Sequence, residues 1–199
     1  MRLRAGAIVT AAMALILGFL PPAHANWFGI TGVAGLCVGG NITDNHDMYF
    51  AYTDTTTALT NAANWTRTNL MNPTDLNTFT VSSPTDHTDV VVLDRYYDNY
   101  CDFPWTKDGN IGLRGFTSCE VESSTHRCDQ QVVRISDYSL DLFTTDGDRT
   151  LVCHEFGHAI GLKHRDNPGC MKNGDFGESH YTDHDRAHIN SDWSTEPAS

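Results

Sequence analysis

Histidines at 154, 158 and 164, in the run His154-Glu155-Phe156-Gly157-His158-Ala159-Ile160-Gly161-Leu162-Lys163-His164, constrain this chain more than any other feature. A separation of four residues puts two imidazoles on one face of a helix, a turn apart, where one ion can bridge them. A residue six further on is rotated by about 240° if the helix continues, so His164 joins the pair only where the helix stops. Gly161 can supply that stop, because glycine adopts positive φ without a Cβ penalty. Three neutral imidazoles and a water complete a tetrahedral site with one exchangeable position, which distinguishes catalytic zinc from the closed structural kind. Glu155, next to the first histidine, reaches that water as a general base.

With 199 residues, the chain has the size of one ordinary domain. Its first segment reads as separate. Arg2 and Arg4 precede an apolar run from Ala5 to Leu20, followed by Pro21, Pro22 and Ala23-His24-Ala25, the small-x-small pattern of signal peptidase sites. The run is shorter than the roughly 20 residues that a bilayer span needs. Cleavage after Ala25 is therefore expected, giving a secreted, extracellular protein that has no membrane contact once the signal is removed. Loss of Arg2 and Arg4 from the 13 Lys and Arg leaves 11 against 25 Asp and Glu, a formal charge of −14. Such a chain repels nucleic acid.

The six cysteines, Cys37, Cys101, Cys119, Cys128, Cys153 and Cys170, are even in number and form no C-x-x-C pair. In an exported chain this favours three disulfides over a thiolate metal site, with many pairings open. The preferred one joins Cys119 to Cys128 as a local staple, Cys153 to Cys170, and Cys37 to Cys101.

Strands are expected near 48–52, 79–82, 90–93, 111–121 and 131–136, with the Cys119 to Cys128 stretch turning between the last two. Ala58, Leu59, Ala62, Ala63 and Trp65, continuing to Leu70, recur at helical spacing up to Pro73. The tract from Tyr96 to Gly109 reads as surface loop. A second helix is expected from Thr145 or Asp146, with Val152, Phe156, Ala159 and Ile160 as its apolar stripe.

The full HExxHxxGxxH pattern at 154–164 resembles the zinc signature of the metzincin clan of metallopeptidases. Gly169-Cys170-Met171 lies where that clan has its methionine turn, and Met171 is the residue the resemblance places beneath the zinc. Tyr181 to Asn190 is similar to the C-terminal helix of matrixin-like members, and Thr182 with Asp185 fits a capping box. Arg165 stands where several of the families carry a diagnostic residue, so the subfamily stays unassigned. The resemblance implies an α+β fold: a mixed, mostly parallel twisted sheet with an antiparallel edge strand, a helix bearing the zinc motif, and a small C-terminal subdomain. The expected organisation is a signal peptide over 1–25, an N-terminal extension over 26–45, a catalytic domain over 46–193 and a tail over 194–199.

Zinc held by His154, His158 and His164, with Glu155 as base, implies a monomeric metalloendopeptidase acting on protein or peptide substrates. The peptide is expected to lie along an edge strand within 111–117. The alternatives are an exopeptidase or a secreted zinc-binding protein without turnover; the latter has no need of Glu155. Calcium stays open, since no D-x-[DN]-x-[DN]-G loop occurs and Asp146-Gly147-Asp148 reads as a helix start. Cys37 is expected in a disulfide rather than as a thiolate plug on the zinc. No tyrosine follows Met171 closely enough to match the one that some of the families place near the metal; Tyr181 is the candidate substitute, and its role stays open. His180, His184 and His188, at i, i+4 and i+8, read as an exposed helix face rather than a second metal site.

Overall fold

The computed structural model describes residues 34–35, 37–40, 42–106, 112–140, 144–166, 168–174 and 178–193. The expected signal peptide and C-terminal tail, and position 111 of the expected edge strand, lie outside these residues. A five-stranded sheet in the order β2-β1-β3-β7-β6 is built from β1 (Asp47–Tyr52), β2 (Asn77–Val81), β3 (Val90–Arg95), β6 (Gly115–Glu122) and β7 (Cys128–Ser136). All neighbours are parallel except β6, which runs antiparallel to β7 at the edge. The α+β class and the mixed, mostly parallel sheet match the expectation.

Sequence patterning explains the strand order. Val90, Val91 and Val92 form an unbroken apolar run that is buried, as a central parallel strand covered on both faces requires. In β1 the alternation shows instead: Met48 and Phe50 are fully buried, whereas Tyr49 is exposed and stacks on Phe79 of β2. Helix α1 (Thr57–Thr66) buries Leu59, Ala62 and Ala63, and Thr56 caps it by accepting from Leu59 N at 3.2 Å. Thr56 in turn donates to the Asp94 carboxylate at the end of β3, from its amide at 2.9 Å and its hydroxyl at 2.6 Å. The helix continues as a π-helical turn over Arg67–Met71, with Asn72 as its C-cap immediately before Pro73.

The stretch read as loop carries structure of its own. A short hairpin, β4 (Asn99–Tyr100) and β5 (Phe103–Pro104), is anchored by Trp105, which is buried and stacks on Tyr97 at 4.4 Å. A one-turn helix, α2 (Asp137–Leu140), follows β7, and the long helix α3 (Thr145–Ala159) then packs against α1, β6 and β7. The last helix, α4 (Asp183–Trp193), starts with the expected capping box: Thr182 N donates to Asp185 Oδ2 at 2.8 Å, and Asp185 N to Thr182 Oγ1 at 3.3 Å. Disulfides join Cys37 to Cys101, Cys119 to Cys128 and Cys153 to Cys170, the preferred pairing. Among the described residues no helix is long and apolar enough to cross a membrane.

Candidate metal centre

Helix α3 is capped by Thr144, has Asp146 and Asp148 in its first turn, and is buried along almost its whole length. His154 and His158 therefore project from a fixed backbone. The helix ends where Gly161 takes φ 102°, and Leu162 N then donates to Gly157 O at 2.8 Å, which turns the chain back. His164 is brought round by this turn. The Nε2 atoms lie 3.2 Å apart for His154 and His158, 2.9 Å for His154 and His164, and 3.0 Å for His158 and His164. Among the described residues this is the one group of three or more His, Cys, Asp or Glu side chains able to hold a metal ion. His184 and His188 stack edge to face on α4 and belong to no such group among the described residues.

The donor set fits zinc on its own chemistry. His154 Nδ1 meets Cys170 O at 2.6 Å and His158 Nδ1 meets Leu162 O at 2.7 Å. A carbonyl oxygen only accepts, so these Nδ1 atoms carry the protons and each Nε2 presents a lone pair. Lone pairs converging at about 3 Å repel one another unless a cation sits between them. The three separations are close to the edge of about 3.3 Å that a tetrahedron with zinc–nitrogen bonds of about 2.0–2.1 Å has. Burial also keeps the imidazoles neutral: it lowers His154 to about 4 and lowers His158 well below the usual histidine range, the neighbouring imidazoles adding to both effects. Burial lowers His164 as well.

Glu155 is buried, and the Thr117 hydroxyl of β6 lies 2.8 Å from Glu155 Oε2 and 2.9 Å from Glu155 O, its one proton shared between the two acceptors. Burial raises the Glu155 carboxyl to about 8, a rise that the Thr117 hydrogen bond opposes. A cation on the three imidazoles also opposes it, by favouring the carboxylate. Gly115 lies against the same carboxyl: a Cβ there would stand 2.6 Å from Oε1 and 2.7 Å from Cγ. Thr117 and Gly115 were not singled out from sequence. Their only signal was a position on an expected edge strand.

Met171 is fully buried and its sulfur fills the space beside Gly157 of α3, where a side chain would collide with it. The Cys153–Cys170 disulfide ties this loop to α3. Tyr181 lies on the same side. It is fully buried and donates its hydroxyl to Cys153 O at 3.0 Å, which props α3. Arg165 bridges the loop to α4, with Nη2 donating to Pro168 O at 2.7 Å and lying 3.1 Å from Asp185 Oδ2. A cleft of about 670 Å³ opens over the centre, its walls including Phe103, Leu113, Phe116, Leu151, Lys163 and Asn173.

No family model matches this chain, and no curated protein matches it. Among solved structures it is similar to archaemetzincin from Archaeoglobus fulgidus, determined in complex with malonate, at 14% identity over 72% of this chain and 99% of that one, with a TM-score of 0.42. It is also similar to myroilysin at 14% identity, over 72% of this chain and 57% of that one, with a TM-score of 0.37.

Proposed function

We propose that this chain is a secreted, zinc-dependent endopeptidase of metzincin type. His154, His158 and His164 hold the metal, Glu155 acts as general base, and residues 46–193 form the catalytic domain. The observation that carries this reading is the juxtaposition of three converging imidazole nitrogens with a buried carboxyl, at the floor of a cleft bordered by a sheet edge. Bound there, zinc supplies Lewis acidity toward a water and a substrate carbonyl.

The chain's own residues do the rest. The Nδ1 bonds of His154 and His158 to backbone carbonyls fix ring orientation and tautomer. Thr117 holds one oxygen of Glu155, leaving the other toward Gly115, where no side chain obstructs approach. Glu155 can then take a proton from the attacking water and deliver it to the departing amine. Leu113, Phe116 and Phe103 shelter the reacting groups from bulk water. A zinc-binding protein without turnover has no use for the Glu155–Thr117 pair, which favours catalysis. The test is Glu155→Gln, which keeps the shape and the Thr117 contact. It is expected to bind zinc with unchanged stoichiometry and to lose peptide hydrolysis; turnover equal to the parent's removes Glu155 from the role.

A further inference from the structure

The outer edge of β6 is the surface along which an extended peptide would lie, and most of it is already taken. Hydrogen bonds of an antiparallel strand alternate between its two sides. Arg114 O accepts from Ser136 N on the β7 side at 2.9 Å, so the backbone groups of Leu113, Gly115, Thr117 and Cys119 face outward. At one end, Leu113 N donates to Pro104 O at 2.7 Å and Thr106 N donates to Leu113 O at 2.9 Å, so the segment after β5 closes the edge. At the other end, Gly35 N donates to Cys119 O at 2.8 Å, and Gly39 bridges to Ser118 in antiparallel register. Gly40 continues this strap along the cleft, packed so tightly that an added Cβ would lie 2.6 Å from His158 O. Between the two stops, among the described residues, only the stretch from Gly115 to Thr117 remains, and its two outward-facing residues, Gly115 and Thr117, lie against Glu155.

We infer that this peptidase recognises peptides through a window of about three backbone positions opposite Gly115–Thr117, bounded on one side by Gly35 and residues 37–40 and on the other by residues 104–106. The Cys37–Cys101 disulfide clamps the two stops together, since Cys101 lies in the turn between β4 and β5 while Cys37 lies in the strap. A peptide pairing antiparallel to β6 points its N-terminal residues at the strap and its C-terminal residues at the hairpin. The substrates are therefore short peptides, or local extended turns of larger proteins, and chain beyond the window adds no backbone pairing. This rests on the proposed peptidase activity.

The test starts from one scissile bond found by cleavage of a mixed peptide library with the zinc-loaded chain. Nested peptides extend it from one to six residues on each side, and kcat/KM is measured for each, together with Kd on zinc-loaded Glu155→Gln. Both are expected to improve until the window is filled and then to stay within about twofold as chain is added. In Cys37→Ser/Cys101→Ser, N-terminal extension is expected to go on improving binding, by roughly two- to tenfold for each further backbone bond. The parent series is decisive whether or not that variant folds. Steady gains through six residues in the parent overturn the window while leaving the peptidase reading intact. Absence of both cleavage and binding for every peptide overturns that reading and the window with it.

Discussion

Replacing Gly115 by alanine adds one methyl to a β strand, yet it should disable the site. The new Cβ would stand 2.6 Å from Glu155 Oε1, 2.7 Å from Cγ and 2.8 Å from Cδ, where ordinary contacts begin at 3.4 Å. The strand cannot retreat, because β6 is registered against β7 at Gly115 and Ile135 and held by the Arg114–Ser136 bond. Glu155 must move instead, giving up its 2.8 Å hydrogen bond from Thr117. A reacting group misplaced by about 1 Å costs on the order of 10²-fold in rate. Loss of the charge-assisted bond costs about 1.5–3 kcal/mol of stability, offset by about 0.5–1 kcal/mol from the reduced freedom of alanine in the unfolded chain. The net fall of about 1–2 kcal/mol corresponds to a drop in Tm of roughly 2–8 °C for a domain of this size. The three imidazoles are untouched, so zinc content stays at the parent's value. Peptide hydrolysis, metal content and thermal unfolding measured on one preparation separate these effects. Activity within about threefold of the parent refutes the reasoning, as does loss of zinc.

Three further outcomes follow from the packing. Gly157→Ala drives a methyl into the Met171 side chain, 2.9 Å from its Cε, and is expected to cost about 1–3 kcal/mol in chemical denaturation and to weaken zinc binding in a chelator competition. Arg165→Met strands the Asp185 carboxylate, whose side chain is only 3% exposed, and should cost about 3–5 kcal/mol, much of it recovered in Arg165→Met/Asp185→Asn. Asp89 supplies the pH dependence: burial raises its carboxyl to about 7, against the hydrogen bonds from Tyr49 N and Asn45. The folded value lies above the unfolded one near 3.9, so the native chain binds this proton more tightly, and the stabilisation, complete below pH 4, is lost as pH rises toward 7. Asp89→Asn removes the titrating group and should gain up to about 4 kcal/mol over the parent at pH 7–8 and nothing near pH 4. Melts of both proteins from pH 4 to 8 measure the difference.

Much of the site was legible because its constraints are local. The His154–His158 spacing and Gly161 fix a helix, its end and a reversal within eleven residues, and the structure brings the third imidazole to the first two as that geometry requires. The Thr182–Asp185 cap and the valine run of β3 were readable for the same reason. What escaped depends on contacts distant in sequence. The π-helical turn at Arg67–Met71 coincides with Arg67 reaching Tyr52 OH at 3.2 Å and Thr78 O at 3.2 Å, neither partner being marked by any local pattern. Residues 99–104 looked like loop because their order comes from the Tyr97–Trp105 stack. The edge strand was expected over 111–121, but β6 begins at Gly115 and its outer side is shortened by segments whose approach only the tertiary fold creates. The role of Tyr181, left open by the sequence, depends on a distant partner: its buried hydroxyl donates to Cys153 O.

Zinc-dependent cleavage is the claim on which everything else stands. The direct measurement is metal analysis of the purified chain, with mass-spectrometric mapping of casein cleavage before chelation, after it, and after zinc is restored. One zinc per chain, internal cuts that vanish with chelator and return with zinc, and loss of both metal and cuts in His164→Ala are predicted. Internal cuts that survive complete removal of the metal, or a chain that binds no zinc, contradict it.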